Sequence, residues 1–455
     1  MKSQRRWRVS RGRGLSALGG LCLAAAAVVA LPGRADSYPL DGYERTGIRR
    51  LRVYRQINDG ALPGNIRLKP GAQLPSSAIR LRLADTNPSF DVGADTPRDA
   101  ALQEGIERIV GRRHSSYRVA VLDITDPQHP RYAAVKPNEG YIPGSVGKLL
   151  VMTGLFNELR KRFPTDLAAR EELLRTTRIV ADAWVMPNSH EVPVVNEDMT
   201  RVTHRSIRIG DEFTLWEWLD HMVSPSSNAA GSMVWKHVLL MNHFGSRYPV
   251  SKEEEDAFFA NTPKAELTDR AIEVLEAPLR EMGLDTEQLR LRTFFTRGAE
   301  RIIPGRSSYA TPQELVRWLL KLEQGKVVDR WSSEEMKRLL YFTRRRYRYA
   351  FSPELDQAAV YFKSGSLYRC RPEEGYSCGQ YRGNAENLMH AVAIVEAPAR
   401  PDTVQHVYLI SMMSNVLKVN SASEHAELGT QIERFIRGLH VPASGSTESS
   451  AEVRP

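Results

Sequence analysis

Apolar residues recur at two spacings along this chain, one typical of helices and the other typical of strands. Intervals of three and four residues, which place side chains on one face of a helix, run through residues 97–111 and 422–439. β-Branched and aromatic runs typical of strands occupy residues 117–124, 132–135, 359–366, 390–396 and 406–413. The pattern predicts two early strands, three late strands and several helices between them.

The helices predicted for the middle of the chain begin at recognisable caps. Thr214 with Glu217 forms a capping box before an apolar face that ends at Pro225, and Thr311 precedes a helix that runs to Lys321. Residues 164–207, beyond one short helix, and residues 294–308 show no regular period, so we expect an open stretch and a long loop. Residues 245–270 are polar and acidic and are predicted to form an inserted surface element.

The two ends of the chain differ in composition from the middle. Residues 1–35 combine a basic start, an alanine-rich apolar stretch and a small-x-small site, which is typical of a cleaved secretory signal peptide. An uncleaved anchor is the alternative, although the apolar stretch is short for a membrane span. Residues 36–95 are rich in turn residues, with strand-like alternation at 79–83, and form a predicted N-terminal appendage of unassigned role. Residues 96–441 form the predicted main domain, and the polar tail at 442–455 is predicted to be disordered.

Removal of the signal peptide changes the charge of the chain. The formal charge is +9, and residues 1–35 contribute seven basic side chains and no acid, so the remaining chain carries +2. A nucleic-acid partner would require a persistent basic face, and none is predicted. We expect a monomer in the periplasm or outside the cell, with no stable membrane span once the signal is cleaved.

Two cysteines remain after the signal, Cys370 and Cys378. In an oxidising compartment a pair this close is expected to form one disulfide across a local loop, and two free thiols are the alternative.

The histidines do not form a recognisable metal-binding pattern. His237 and His243 are six residues apart, which is not a same-face helical spacing, and His190 with Glu191 is an isolated pair. These residues are interpreted as structural or surface residues, and the basic run at 344–348 is interpreted as a solvated face. No metal or cofactor is predicted.

The first candidate catalytic motif is a serine followed three residues later by a lysine. Ser145 comes after a turn pair, and Lys148 opens a long apolar run. Residues three apart share one face of a helix, so the Lys148 amine can reach the Ser145 hydroxyl. A serine is a weak nucleophile until a base takes its proton, and a lysine in an apolar pocket can be that base. A solvated Lys148 is the alternative.

Two later motifs add polar groups. Ser226 and Asn228 lie in a predicted turn between two helices, which places a hydroxyl and an amide close together. Taken alone, this motif is explained by a helix cap. Lys363, Ser364 and Gly365 lie on the first late strand, where the glycine lets a ligand or another backbone come close.

Ser-x-x-Lys, Ser-x-Asn and Lys-Ser-Gly, in this order, resemble the motifs of the penicillin-recognising serine enzymes, and most closely those of class A β-lactamases. The resemblance covers about residues 97–440, including the helix and loop at 209–230 and the Thr-Pro pair at 311–312. It implies an α+β fold in which a mainly antiparallel five-stranded sheet, built from both ends of the chain, is flanked by helices and joined by an all-helical lobe. The predicted strands fit this expectation.

The resemblance also implies catalytic roles. Ser145 would attack a carbonyl and become acylated, Lys148 would take or relay its proton, and Ser226 would pass a proton to the leaving nitrogen. Class A β-lactamases carry a glutamate before the Thr-Pro helix, which activates the deacylating water. Glu300 is the only acid in residues 294–308, and its distance from the Thr-Pro pair looks short. Glu300 is the candidate base for deacylation, and the alternative is that Glu300 is a surface residue. In the second case the acyl-enzyme could persist because its hydrolysis lacks a base.

The remaining implied roles concern substrate binding. Asn228 would position the substrate amide, and Lys363 with Ser364 would hold the substrate carboxylate. The backbone N–H groups of Ser145 and Ser366 would hold the oxyanion.

Three functions fit these expectations. The first is an exported serine hydrolase that opens a β-lactam-type amide, and the second is a D-alanyl-D-alanine peptidase acting on cell-wall peptides. The third is a non-catalytic protein that binds such peptides. Each has a small-molecule β-lactam or a D-alanyl peptide as its partner. The insertions at 164–207 and 245–270 widen the motif spacing relative to the family, so we expect a cleft that can accept something larger than an antibiotic.

Overall fold

A five-stranded antiparallel sheet forms the centre of this computed structural model, which describes residues 40–66, 68–343 and 346–441. The described strands, in chain order, are β1 (Arg118–Asp123), β2 (Arg131–Val135), β3 (Arg178–Val180), β4 (Glu191–Val195), β5 (Val202–Ser206), β6 (Glu212–Thr214), β7 (Leu289–Arg290), β8 (Tyr309–Ala310), β9 (Ala359–Arg369), β10 (Glu386–Ala397) and β11 (His406–Asn415). The sheet order is β2-β1-β11-β10-β9, and every neighbouring pair is antiparallel. Strands from both ends of the chain therefore meet where β1 pairs with β11.

Helices surround this sheet and form a separate lobe. The described α-helices are α1 (Tyr43–Thr46), α2 (Arg49–Asn58), α3 (Ala100–Gly111), α4 (Lys148–Arg162), α5 (Leu167–Thr176), α6 (Leu215–Val223), α7 (Asn228–Phe244), α8 (Lys252–Asn261), α9 (Lys264–Glu281), α10 (Arg297–Ile302), α11 (Pro312–Glu323), α12 (Arg330–Tyr341) and α13 (Ser421–Gly438). None of these described helices combines the length and apolar character needed to cross a bilayer. The predicted signal peptide at 1–35 and the predicted tail at 442–455 lie outside the described residues.

The sheet packs against a different hydrophobic core on each face, because successive side chains of a strand point to opposite sides. In β1, Val119 and Val121 belong to one core, whereas Ala120 and Leu122 belong to the other. The first core is closed by α3 and α13, and the second continues beneath α11 and α12 into the helical lobe. The predicted α+β fold is confirmed.

The helical lobe is built around α4, which packs against α6, α7 and α9. Every residue of α4 from Lys148 to Leu159 is buried. Gly154 lets α9 come close, because a Cβ at that position would lie 2.8 Å from Leu275 Cδ2 and 3.1 Å from the Val274 carbonyl oxygen. The long apolar run after Lys148 therefore forms the central helix of the lobe.

Residues 40–95 contain helices and turns but no strand among their described residues, so the strand predicted at 79–83 is wrong. Ile79 and Leu83 are buried, but as anchors on the main core rather than as one face of a strand. The backbone there bonds to the end of α11: the Arg82 N–H donates to Glu323 Oε2 at 2.7 Å, and the Leu83 N–H donates to the Glu323 carbonyl at 3.0 Å.

The N-terminal segment is also joined to the helical lobe by a buried ion pair. Arg50 of α2 donates two hydrogen bonds of 2.6 Å to Asp220 of α6, and both side chains are at most 2 % exposed. Burial of two opposite charges together requires good geometry, which the paired bonds provide. Residues 40–95 belong to the same compact unit as the sheet.

Three expectations for the connecting segments are corrected. The stretch at 164–207 is not open throughout, because β4 and β5 pair as a hairpin. The predicted loop at 294–308 contains α10, which is capped by Thr296. The insertion at 245–270 forms α8 and the start of α9, and it is not purely a surface element, because Glu255 is buried in an ion pair with Lys236.

Candidate active site

Ser145 lies in a 3₁₀ turn, Gly144–Gly147, that runs directly into α4. Gly144 has φ +54°, a left-handed conformation that glycine adopts without steric cost. Lys148, the first residue of α4, is completely buried, and its Nζ lies 3.0 Å from Ser145 Oγ. The structure therefore brings the predicted nucleophile and base together.

Burial favours the neutral form of the Lys148 amine, and its oxygen partners can accommodate that form. Nζ donates to the Ser226 carbonyl oxygen at 2.6 Å and to Asn228 Oδ1 at 2.8 Å. Burial lowers the pKa of Lys148 well below its usual value, and the charges of Lys363 and Arg348 lower it further. A neutral amine has two N–H groups and one lone pair. Since both N–H groups meet oxygens that can only accept, the lone pair is left for the Ser145 hydroxyl.

Ser226 and Asn228 reach Lys148 from the turn between α6 and α7. Ser226 has φ +63°, a conformation rarely adopted by residues other than glycine and often found at functional sites. The cap of α7 is Ser227, whose side chain accepts from the Ala230 N–H. Capping alone therefore does not account for this motif, because Ser226 and Asn228 turn towards the lysine.

The strand β9 supplies the third motif. Lys363 is buried, and its Nζ donates to Ser226 Oγ at 2.7 Å and to the Ser364 carbonyl at 2.9 Å. Burial lowers the pKa of Lys363, and the nearby Arg348 guanidinium adds to this effect. Ser226 Oγ also lies 3.4 Å from Lys148 Nζ. One hydroxyl is thus positioned between two amines, an arrangement through which a proton can move.

Gly365 allows β9 to pass over the turn that carries the nucleophile. A Cβ at Gly365 would lie 2.8 Å from the Pro143 carbonyl oxygen and 2.9 Å from the Ser145 nitrogen. The next residue, Ser366, approaches the same turn, because a Cβ at Gly144 would lie 3.8 Å from the Ser366 nitrogen. The two backbone N–H groups predicted to hold an oxyanion therefore belong to segments in close contact.

Arg348 is a site residue that the sequence reasoning missed. Its guanidinium donates to Ser364 Oγ at 2.8 Å and to Ser366 Oγ at 2.9 Å, and it lies 5.3 Å from the centroid of the Tyr381 ring. Its backbone has φ +55°. The solvated-face interpretation is also wrong for Arg346, which is buried and donates to backbone carbonyls. The basic run was the only sequence signal, and it does not indicate which arginine turns inward.

A cavity of about 490 Å³ opens over the nucleophile. Its lining includes Ser145, Ser226, Asn228, Arg348, Lys363, Ser364 and Ser366. His190, interpreted from the sequence as a structural or surface residue, also lines it. Burial lowers the pKa of His190 to about 4, and Lys148, Lys363 and Arg348 contribute to the shift. The imidazole is therefore neutral at physiological pH.

Glu300 lies on α10 and is not among the residues that line this cavity. Phe295, two residues before α10, does reach the site: its ring centroid lies 4.8 Å from Lys148 Nζ. The role of Glu300 as a base stays a prediction. The expected disulfide is present, between Cys370 and Cys378 in the loop after β9. Among the described residues, no group of three or more His, Cys, Asp or Glu side chains is arranged to hold a metal ion.

Comparison with known proteins gives one family match and several similar folds. The model of the β-lactamase enzyme family matches residues 267–426, a range that contains β9 but not Ser145 or Ser226. No curated protein matches the chain.

Several solved structures resemble this one at low sequence identity. The structure of PBP-A is 13 % identical, covers 75 % of this chain and 97 % of its own, and has a TM-score of 0.46. A β-lactamase from Sphaerobacter thermophilus DSM 20745 is 13 % identical, covers 75 % and 98 %, and has a TM-score of 0.48. The TLA-3 extended-spectrum β-lactamase is 14 % identical, covers 74 % and 98 %, and has a TM-score of 0.49. The match over residues 267–426 confirms the resemblance of this chain to the serine β-lactamase family.

Proposed function

We propose that this protein is an exported serine hydrolase that opens a β-lactam-type amide through an acyl-enzyme on Ser145. The observation that carries the proposal is the buried Lys148 amine, 3.0 Å from Ser145 Oγ, with two carbonyl-type acceptors for its N–H groups. A weak nucleophile becomes effective when a positioned base takes its proton. Lys148 takes the Ser145 proton while Oγ forms a bond to the carbonyl carbon of the substrate.

The negative charge that develops on the carbonyl oxygen requires donors that are already in position. The N–H groups of Ser145 and Ser366 are the candidates, because β9 and the nucleophile turn come together at Gly365. When the C–N bond breaks, the leaving nitrogen needs a proton. Ser226 can supply it and recover it from Lys148, since its Oγ lies 3.4 Å from Lys148 Nζ.

The Arg348 guanidinium and the donors beside it support a substrate with a carboxylate. The Arg348 guanidinium, the Lys363 amine and the Ser364 hydroxyl come together at the middle of β9. Hydrogen bonds between charged partners are about twice as strong as neutral ones. A carboxylate bound there would place the adjoining amide over Ser145.

A second candidate is a D-alanyl peptidase whose acyl-enzyme is released slowly. One observation favours it. Among the described residues, the only carboxylate that lines the nucleophile cavity is that of Glu191, and none is hydrogen-bonded to Lys148. A water that attacks the acyl-enzyme would then lack a carboxylate base held next to Lys148, unless Glu300 fills that role.

Export is part of the proposal. Residues 1–35 have the composition of a signal peptide, and the Cys370–Cys378 disulfide fits an oxidising compartment.

Intact-protein mass spectrometry with a fluorescent penicillin tests these functions. A transient adduct on the wild type, with release of hydrolysed penicillin, is expected for a β-lactamase, and a persistent adduct is expected for the peptidase. Ser145→Ala should form no adduct. Equal labelling of Ser145→Ala would refute the role of Ser145, and no adduct on the wild type would favour a non-catalytic binding protein.

A further inference from the structure

A second cavity, of about 270 Å³, adjoins the nucleophile cavity. Four residues line both cavities: Glu191, Ser224, Pro225 and Tyr347. Residues that line both must lie at their boundary, so the two spaces are neighbouring compartments of one cleft. The nucleophile compartment alone is within the range of 300 to 1,000 Å³ that holds a drug-sized ligand. The second compartment is therefore additional room next to a pocket already large enough for an antibiotic.

Two segments outside the central sheet and the helical lobe build the wall of the second compartment. Arg50 and Tyr54 come from α2 in the N-terminal segment, and Pro193 and His204 come from the β4–β5 hairpin. The two segments are joined directly, because the Tyr54 hydroxyl lies 3.1 Å from His204 Nε2. The N-terminal segment, which had no role from sequence, thus forms part of the cleft.

The two compartments differ in charge. Lys363 and Arg348 line only the nucleophile compartment, and Glu191, at the boundary of the two compartments, is the only carboxylate among the described residues that line either one. Arg50 does not add a free cation to the second compartment, because it forms a bidentate ion pair with Asp220. The Glu191 side chain is exposed and has no ion pair within the described part of the chain. A ligand that enters this compartment meets an uncompensated negative charge.

We propose that the second compartment is a specificity subsite for peptide substrates that carry a primary amine, and that the Glu191 carboxylate pairs with the ammonium group. The proposal rests on the proposed function, since it concerns substrates that acylate Ser145. The substrate carboxylate binds near Arg348 and Lys363, and a lysine-like side chain extends towards the second compartment, where its ammonium group meets Glu191 at the boundary. This arrangement selects an elongated molecule with opposite charges at its two ends over a compact one.

Acylation of the full chain by two matched pairs of β-lactams tests this proposal. The first pair is a penicillin whose acyl side chain ends in a primary amine, and its acetamide. The second is a cephalosporin that carries the amine, or its acetamide, on the leaving side of the ring. The measured quantity is the ratio of second-order acylation rates within each pair, followed by intact mass. Because the ion pair is solvent-exposed, we expect the amine to be favoured by about threefold to fivefold in one pair.

The variants make the test specific to Glu191. Glu191→Gln should reduce the ratio to about one, because the amide keeps the size of the side chain but removes its charge. Glu197→Gln is the matched control: Glu197 is exposed in the turn of the same hairpin and does not line either compartment, so the ratio should stay at the wild-type value. Thermal unfolding of both variants confirms that they are folded.

The possible outcomes are distinct. A ratio near one for both pairs in the wild type, or a ratio unchanged by Glu191→Gln, would overturn the subsite while leaving the acyl-enzyme intact. If none of the four compounds forms an adduct with the wild type, the proposed function fails and the subsite fails with it.

Discussion

Replacement of Gly365 by alanine tests whether the close approach of β9 to the nucleophile turn matters for the reaction. The added Cβ would lie 2.8 Å from the Pro143 carbonyl oxygen, 2.9 Å from the Ser145 nitrogen and 3.1 Å from the Val146 nitrogen. Carbon atoms normally approach other heavy atoms no closer than about 3.5 Å, so the two segments must separate by about 0.6 to 0.7 Å. All three obstructing atoms are backbone atoms, which no side-chain rotation can move aside.

The structure gives a scale for the effect on the rate. The turn is continuous with buried α4, and β9 is held along its length by β10, so the separation falls on the site itself. A misplacement of 1 Å can lower a rate by about a hundredfold, and about 0.65 Å therefore corresponds to about twentyfold. We expect acylation of Gly365→Ala to be slower by about that factor, with a loss of about 1 to 3 kcal/mol in the free energy of unfolding from overpacking.

The assay is the second-order rate of labelling by a fluorescent penicillin, measured at a temperature where the variant is fully folded by circular dichroism. Gly379→Ala is the matched control, because Gly379 lies in the neighbouring disulfide loop and a Cβ there would meet nothing within 4 Å. If Gly365→Ala is labelled within twofold of the wild-type rate, the close approach of β9 and the Ser145 turn does not position the reacting groups.

Three further predictions concern charges in and around the site. Because the pKa of Lys148 is well below its usual value, the acylation rate should reach its plateau at a pH well below the ordinary lysine pKa near 10.4 in a pH–rate profile; a rate that is still rising towards that pKa would contradict this. Arg348→Gln should slow acylation by a carboxylate-bearing β-lactam by about tenfold, since a hydrogen bond to a charged group contributes about 1.5 to 3 kcal/mol. If a β-lactam ester that lacks the carboxylate shows an equal loss, Arg348 does not bind the carboxylate. Burial lowers the pKa of His221 and of His390 to about 4. Between about pH 6.5 and 4 the unfolded chain therefore binds more protons than the folded one, and chemical denaturation should show that stability falls as the pH is lowered through that window. Constant stability there would contradict the neutral, buried histidines.

The sequence predicts the parts of the fold in which one physical rule dominates. The five sheet strands follow from runs of apolar and β-branched residues, and α6 follows from its capping box, which the structure contains. The strand-like alternation at 79–83 is misleading because a strand also requires a partner for its backbone. The Arg82 and Leu83 N–H groups find that partner at Glu323 instead. Such a tertiary contact leaves no local pattern.

The site shows the same division. Ser145 and Lys148 are predictable because their contact depends only on helical spacing, which the structure keeps at 3.0 Å. Arg348 and His190 are not predictable, because they reach the cavity only when distant segments fold against it. In Arg348 the side-chain direction depends on a left-handed backbone conformation, which a run of arginines does not encode in any recognisable way.

The Arg50–Asp220 pair has a consequence for the modular use of this chain. Asp220 is fully buried in α6, six positions before Ser226, and its described counter-charge comes from the N-terminal segment. A truncated protein that begins at residue 96 would keep the carboxylate and lose the guanidinium, and an uncompensated buried charge is destabilising by about 3 to 5 kcal/mol. A domain that lacks α2 would therefore require a neutral residue at position 220. We expect α2 and the domain that carries Asp220 to be inherited together.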